Sequence, residues 1–315
     1  MSRARWRELL SAYGIQLAFV ALVIVLAVLS PSFRDVGNVI TIFRQIAVIA
    51  VLAFGMTVVV LTAGIDLSVG SMLALSGAVA AGLAAQAGWP PALAIAAALA
   101  VGLLLGLHNG FFAGVIGVAP FIATLGGLTI FRGLALVYTG GRPITGLPDA
   151  FTTIGSSAWL GLPSPIWVML GFLLVTHLIL RYTALGRAIY AVGGNEEAAR
   201  LSGLPVTKVK LFAYAYCGLA SAVGALVLTG RLNSAQPTAG VGFELDAIAA
   251  VVVGGTSLFG GKGGVLGTLL GAAILGVLNN GMNLMNVDPF FQGIAKGYVI
   301  LGAVTLERLV STKKN

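Results

Sequence analysis

The sequence predicts an all-α integral membrane protein with about ten transmembrane helices in a single domain, residues 1–315. Two observations predict this class. Apolar residues make up 58% of the chain and charged residues only 9%, whereas soluble domains carry far more charge. The apolar residues also fall into successive runs of roughly 20, the length that crosses the hydrocarbon core of a bilayer.

The first predicted span is expected to be a retained helix, since no small-residue cleavage site follows it. The third and fourth spans, and the eighth and ninth, have a second interpretation as broken or re-entrant helices. Non-helical backbone inside a membrane is tolerated only where protein or a cavity covers it. The predicted spans are 13–30, 39–62, 69–87, 91–117, 119–139, 165–180, 211–229, 245–259, 264–283 and 290–307.

The distribution of lysine and arginine predicts the orientation of the chain. With the N-terminus in the cytoplasm, twelve basic residues fall on the cytoplasmic side, against Arg34, Arg142 and Arg231 on the outer side. Both termini and residues 181–210 are therefore predicted to face the cytoplasm. The excess positive charge follows from this topology, so no nucleic-acid partner is predicted.

Motifs for self-contained chemistry are missing. The stretch GGTSLFGGKGG (254–264) fails as a phosphate-binding loop, because Thr256 and Gly263 stand where that motif needs Gly and Ser or Thr. A tight glycine turn is predicted there instead. His108 and His177 are separated in sequence and are interpreted as packed or boundary residues rather than metal ligands. No catalytic residue, metal site or bound cofactor is predicted.

Asp66, in TAGIDLSVG (62–70), lies at the junction of two predicted spans. Its carboxylate is predicted to cap the helix that follows by accepting backbone N–H groups near Ser68. A direct role in moving substrate or protons is the alternative. Because no buried proton relay and no nucleotide site is recognisable, uphill transport would need energy from a partner protein.

Glycine recurs at every fourth position in the fourth predicted span and again in the ninth. Such stripes of small residues let helix backbones approach closely. The sequence leaves open whether they pack within one chain or between two copies. The residues are Gly102, Gly106, Gly110 and Gly114 in the fourth span, and Gly263, Gly267 and Gly271 in the ninth.

Residues 181–210 form a charged island that holds seven of the 28 charged residues. Within it, Asn195 is a good N-cap, and Gly203 and Pro205 end the predicted helix. A helix this short is marginal alone, so it is predicted to dock on a cytoplasmic partner; a plain surface loop is the alternative. The predicted docking residues are Asn195, Glu196, Glu197, Ala198, Ala199, Arg200, Leu201, Ser202 and Gly203.

The island, with GGNEEAARLSG, resembles the coupling loop of permease subunits of bacterial ABC sugar importers. GMTVVVLTAGIDLSVGSMLAL (55–75) and the long stretch at 231–284 resemble the same family, and the similarity covers roughly residues 30–305. It implies import of a monosaccharide, most similar to the ribose pattern, across the bacterial inner membrane. Implied partners are a second permease copy, a soluble sugar-binding protein, membrane lipid, and an ATP-binding subunit that itself binds ATP and magnesium.

The resemblance also implies that the fifth and tenth spans lie nearest the pathway, with Phe121, Thr124, Phe290 and Phe291 as candidate lining residues. VAPF and VDPF begin these two spans from opposite sides of the membrane, as an inverted repeat would. Two other classes stay open: a self-contained sugar channel or facilitator without an ATPase, and a membrane-embedded enzyme.

Overall fold

The computed structural model describes residues 3–311, and almost all of them are helical. Thirteen α-helices follow one another in this part of the chain, which confirms the predicted fold class. They are α1 (Arg3–Leu29), α2 (Val36–Leu61), α3 (Val69–Ala81), α4 (Pro91–Gly110), α5 (Pro120–Thr139), α6 (Asp149–Ser156), α7 (Ser164–Tyr182), α8 (Ala184–Gly194), α9 (Glu196–Leu201), α10 (Val206–Leu232), α11 (Phe243–Val253), α12 (Val265–Leu284) and α13 (Pro289–Ser311).

Short elements extend or join the helices. A 3-10 turn precedes α2, and π-helical turns extend α3 and α4. Four two-residue strands make two antiparallel pairs, β1 with β4 and β2 with β3. The elements are the turns Pro31–Arg34, Gly82–Gln86 and Phe111–Ile116, and the strands β1 (Ile144–Thr145), β2 (Ala158–Trp159), β3 (Leu162–Pro163) and β4 (Ser234–Ala235).

Seven helical stretches among the described residues are long and apolar enough to cross a membrane: 36–61, 69–86, 91–116, 120–139, 164–182, 206–232 and 265–284. The prediction of a full span at 245–259 is wrong. The helix there, α11, has 11 residues and is about 16 Å long, too short for a hydrocarbon core of about 30 Å. The alternative of a broken helix is correct for this region.

Helices α2, α3 and α10 form the buried centre of the bundle. About four-fifths of the apolar stretch of each is buried, against 22% for α4 and α5. Helix α10 packs against α2, α3 and α4, while α12 packs against α2 and α11. At the periphery of the bundle, α1 packs against α12 and α13 packs against α11. The apolar faces that α4 and α5 leave open are those available to lipid or to another protein.

The glycine stripe of α4 packs within the chain, against α10. A Cβ on Gly102 would overlap the carbonyl oxygen of Gly218, and one on Gly106 would overlap that of Tyr214. A Cβ on the next glycine, Gly110, would lie 3.2 Å from the Leu211 Cα. The two backbones are therefore in direct contact, a separation that only glycine permits.

The second glycine stripe, on α12, brings the backbone of α12 into contact with that of α11. A Cβ on Gly267 would overlap the carbonyl oxygen of Gly254, and one on Gly271 would overlap that of Ala250. Between these helices the predicted glycine turn is confirmed, since Gly255, Gly260, Gly261 and Gly263 all have positive φ.

Two irregular segments lie inside the bundle rather than at its ends. Residues 62–68 link α2 to α3, and Asp66 and Ser68 in this segment are fully buried. Residues 233–242 link α10 to α11 and run back along α3, where a Cβ on Gly70 would overlap the Gly240 carbonyl oxygen. Both segments place non-helical backbone at depth, where protein must satisfy it.

The helices before and after α6–α9 share an order of elements. In the first set, the long helix α2 is followed by a buried irregular segment and then by α3, α4 and α5. In the second set, α10 is followed by an irregular segment and then by α11, α12 and α13. With the predicted topology the two sets start from opposite sides of the membrane, the arrangement of an inverted repeat.

Replacing Gly106 with leucine tests the glycine contact. The added side chain would overlap the Tyr214 carbonyl and force α4 away from α10, so we expect a lower melting temperature and less folded protein in detergent. Overpacking of this kind typically costs about 1–3 kcal/mol or more. The matched control is Gly171→Leu on α7, where a Cβ meets no heavy atom within 4 Å. Equal stability of both variants would mean that the α4–α10 contact does not depend on glycine.

Candidate coupling helix and intramembrane polar groups

The charged island folds into two consecutive short helices, α8 and α9. The Thr183 hydroxyl accepts a hydrogen bond from the Gly186 N–H over 3.0 Å and caps α8. The predicted cap of α9 is confirmed, since the Asn195 side chain accepts from the Ala198 N–H over 2.9 Å. Gly203, at φ +81°, ends the second helix, as predicted. Both helices are therefore fixed by local side-chain capping.

A small ion-pair network joins α9 to α10. The Glu196 carboxylate lies 3.1 Å from Arg200 Nη2 and 2.7 Å from Lys210 Nζ. The hydrogen bond from Lys210 lowers the pKa of Glu196, because it favours the ionised carboxylate. The pair with Lys210 crosses from one helix to the other, so it ties the position of α9 to the start of α10.

The C-terminal end of α8 rests on backbone from two other parts of the chain. A Cβ on Gly193 would overlap the carbonyl oxygen of Leu61, the last residue of α2. That same carbonyl accepts a hydrogen bond from the Gly261 N–H over 3.0 Å. Residues 181–210 and the glycine turn 254–264 therefore lie at the same end of the bundle, as the predicted topology requires.

The predicted docking residues differ in how much surface they present. Leu201 is 81% exposed, whereas Ala199 is 5% exposed and packs inside its own chain. Glu196 is half-buried, and the remaining members are exposed: Asn195, Glu197, Ala198, Arg200, Ser202 and Gly203. The apolar surface that α9 offers to another protein is thus Ala198 and Leu201, without Ala199.

Asp66 lies at the centre of a buried polar cluster. Its Oδ1 accepts from the Ser68 backbone N–H over 2.9 Å and from the Ser68 hydroxyl over 2.7 Å. The Asn109 side-chain amide donates to both Asp66 oxygens, over 3.2 and 3.3 Å. The predicted contact with the Ser68 N–H is confirmed, but α3 begins at Val69 with Ser68 as its N-cap residue. Asp66 thus holds the preceding segment and joins it to α4.

Two further side chains close the same segment. The Tyr214 hydroxyl donates to the Ile65 carbonyl over 3.3 Å, and the Thr124 hydroxyl lies 3.4 Å from the same oxygen. Thr124 donates more closely, over 2.8 Å, to Pro120 in its own helix. Helices α4, α5 and α10 therefore all contribute to the polar groups around residues 62–68.

The four candidate pathway residues fall into two groups. Phe121, Phe290 and Phe291 are 55%, 84% and 65% exposed. Thr124 is fully buried, because its hydroxyl faces the segment 62–68. The three phenylalanines lie on surfaces of α5 and α13 that no described part of the chain covers.

Sequence reasoning missed a second set of polar contacts, around the irregular segment 233–242. Arg132 Nη1 donates to the carbonyl oxygens of Pro237 and Ala239 over 2.6 and 2.8 Å. On α13, Lys296 Nζ lies 3.0 Å from Asp246 Oδ1. The sequence did carry a signal, since Arg132 and Lys296 lie within predicted spans. A charged side chain inside a membrane is costly and usually has a function.

The histidines have ordinary surroundings. His108 packs against the rings of Phe112 and Phe131 at centroid distances of 5.0 and 5.3 Å. His177 makes an edge contact with Tyr182 at 6.1 Å. Within the described part of the chain, no three His, Cys, Asp or Glu side chains come together as metal ligands would.

The chain is a multi-pass helical membrane protein with buried irregular segments and a capped helix at one end. The family described as the permease component of the branched-chain amino acid transport system matches residues 38–306. This chain belongs to that permease family. No solved structure matches it.

Curated relatives cover nearly the whole chain. The ribose import permease protein RbsC of Haemophilus influenzae is 51% identical over 306 residues, which is 95% of this chain and 94% of that protein. RbsC of Bacillus subtilis is 49% identical over 308 residues, 97% and 95% of the two chains. The xylose transport system permease protein XylH of Escherichia coli is 39% identical over 337 residues, 88% and 86% of the two chains.

Replacing Asp66 separates its structural role from a transport role. Asp66→Ala removes the acceptor of the Ser68 N–H and hydroxyl and one acceptor of the Asn109 amide, which keeps its hydrogen bond to Ser68 Oγ. Each buried donor left unpaired costs about 1–3 kcal/mol. We therefore expect a clear fall in melting temperature in detergent. Asp66→Asn keeps the shape of the side chain and one acceptor oxygen, so it should lower the melting temperature less. Should Asp66→Asn melt like the parent and yet lose transport, the carboxylate acts on substrate or protons instead.

Proposed function

We propose that this chain is the membrane-spanning subunit of an ATP-driven importer that brings ribose into the bacterial cytoplasm. The observation that carries the proposal is identity of 49–51% with ribose import permeases over 95–97% of the chain. Identity with the xylose permease is 39%. The gap between these values favours ribose over xylose as the sugar.

The energy source is a separate ATP-binding subunit, which binds the ATP and magnesium. Its docking site on this chain is residues 195–203, which contain α9. Two features support this assignment: a six-residue helix is too short to be stable alone, and Leu201 is left exposed at its end. The C-terminal end of α8, next to α9, also contacts α2 and the glycine turn. Motion of α9 would therefore be transmitted to α2 at the centre of the bundle.

The remaining partners follow from the same assembly. A soluble sugar-binding protein delivers the sugar from outside, and a second copy of this chain completes the pathway. The exposed faces of α5 and α13, which carry Phe121, Phe290 and Phe291, support a pathway formed between two copies. Lipid of the inner membrane covers the other apolar faces.

The chain is tested with its partners in reconstituted vesicles. Loaded binding protein outside and ATP with magnesium inside should give ribose uptake, which should stop without ATP. Leu201→Asp should insert normally but lose both uptake and the co-purified ATP-binding subunit, because it puts an unpaired charge into a buried contact. Arg200→Ala is the matched control and should be mild, since exposed ion pairs contribute only about 0–1 kcal/mol.

Two outcomes would overturn this proposal in different ways. Ribose uptake by the parent without ATP or an ATP-binding subunit would make the chain a facilitator. Full uptake with a bound ATP-binding subunit in Leu201→Asp would leave the importer standing and remove α9 as its docking site.

The predicted topology, with both termini and α9 in the cytoplasm, has its own test. Cys217 is the only cysteine and is buried, so Cys217→Ala gives a silent background. In intact cells, Ser202→Cys should resist a membrane-impermeant thiol reagent, whereas Leu160→Cys, at the predicted outer turn between β2 and β3, should react. Labelling of Ser202→Cys from outside would reverse the orientation.

A further inference from the structure

The segment 233–242 turns back from the outer end of α10 into the bundle. At its start, Ala235 pairs with Ile144 in the outer loop between α5 and α6. At its end, Gly240 contacts Gly70 in the first turn of α3. A Cβ on Gly77 would lie 2.7 Å from Thr229 Oγ1, near the end of α10, and Gly70 lies about 10 Å further along α3. Gly240 is therefore about 10 Å deeper than Thr229.

Two cations lie well inside the outer ends of their helices, α5 and α13. Arg132 is seven residues from the outer end of α5, and Lys296 is seven residues from the outer end of α13. Both distances correspond to about 10 Å. Charged side chains inside a membrane normally face the interior of a bundle or a water-filled cavity rather than lipid. The faces of α5 and α13 that carry these two cations are therefore more polar than a lipid-facing surface, as expected of faces that line a pathway.

One of these cations binds the segment itself, and the other binds α11, which follows the segment in the chain. Arg132 binds the carbonyls of Pro237 and Ala239, on the α5 side. Lys296 binds Asp246 in the first turn of α11, on the α13 side, with both side chains partly exposed, at 26% and 20%. Between the two attachments, Val241 and Leu245 are 70% and 56% exposed. Besides the strand pairing at Ala235 and the backbone contact at Gly240, this region therefore presents an exposed apolar surface that lies between the Arg132 and Lys296 attachments in the sequence.

We propose that the segment 233–242 is the movable barrier in the outer half of the sugar pathway, and that Arg132 and Lys296 are the positioning residues that hold it between α5 and α13. This inference rests on the proposed importer function. The β1–β4 pairing holds the start of the segment, and the Gly240–Gly70 contact holds its end. The side-chain attachments beside them are polar and partly exposed, so water in the pathway can replace these attachments at a low cost in free energy when the barrier moves. Motion of α5 or α13 would move the barrier directly.

The experiment uses the complete importer, with its ATP-binding subunit and binding protein, in vesicles. Val241→Cys in the Cys217→Ala background reports the barrier through its rate of reaction with an impermeant maleimide. In a transporting parent, we expect this rate to differ between the nucleotide-free state and the state trapped with ATP and vanadate. Leu160→Cys, on the outer turn and 90% exposed, is the control and should react equally in both states.

The positioning residues are tested in the same background. Arg132→Met and Lys296→Met should release the barrier, so that Val241→Cys reacts at the same rate in both states and sugar-independent ATP hydrolysis rises. Loss of charge-assisted hydrogen bonds should shift the closed–open equilibrium by roughly tenfold or more. The exchange Asp246→Lys with Lys296→Asp should restore uptake and the difference in labelling. Arg231→Met, at the outer end of α10, should behave like the parent.

Each outcome decides the inference. If a parent with ATP-driven uptake labels Val241→Cys equally in both states, the segment is not a barrier, and the importer function is unaffected. If Arg132→Met keeps coupled uptake and state-dependent labelling, Arg132 is not a positioning residue. Should the single variants fail to insert, the charge exchange still decides. An exchanged protein that inserts and takes up ribose but labels Val241→Cys equally in both states would remove Lys296 as a positioning residue.

Discussion

The structure depends on one constraint: wherever a helix breaks inside the membrane, protein must pair the exposed backbone groups, because lipid cannot. In the part of the chain that the structure describes, two irregular segments interrupt the helices at depth. At residues 62–68, Asp66 and Tyr214 pair backbone groups. The Asn109 amide binds the Asp66 carboxylate, so the segment is held to α4 as well as to α10. At residues 233–242, Arg132 pairs two carbonyls. The charged side chains Asp66 and Arg132 are therefore used where the helices stop.

Glycine makes the complementary contribution, since it brings the intact helices into backbone contact. The α4–α10 and α11–α12 contacts both depend on it, and so does the junction of α8 with Leu61. That junction joins the charged island to the end of α2, from which the segment containing Asp66 continues. The chain thus offers a short mechanical route from its proposed docking helix to the buried polar cluster.

Local signals in the sequence predicted the parts that depend on neighbouring residues. The Asn195 cap, the end at Gly203 and the contact between Asp66 and Ser68 each lie within a few residues of one another and are confirmed. Contacts between distant residues were not accessible. The short length of α11 follows from a segment that returns along α3, and the partners of Arg132 are carbonyls about a hundred residues away. Hydropathy alone could not distinguish a half-crossing helix from a full one.

The long sequence separation of the Arg132 contacts matters during synthesis. Arg132 precedes Pro237 by 105 residues, so at ~5–20 residues per second its acceptors emerge roughly 5–20 s later. Helix α5 must first insert with an unpaired guanidinium about 10 Å from its outer end. The cost is smaller than the roughly 2.5–3.5 kcal/mol of an arginine at mid-membrane, and the apolar residues of α5, with a mean hydropathy of 1.6, offset it. Lys296 is spared this interval, because Asp246 is already in place when α13 is made. The order in which the helices leave the ribosome therefore exposes the first cation and protects the second.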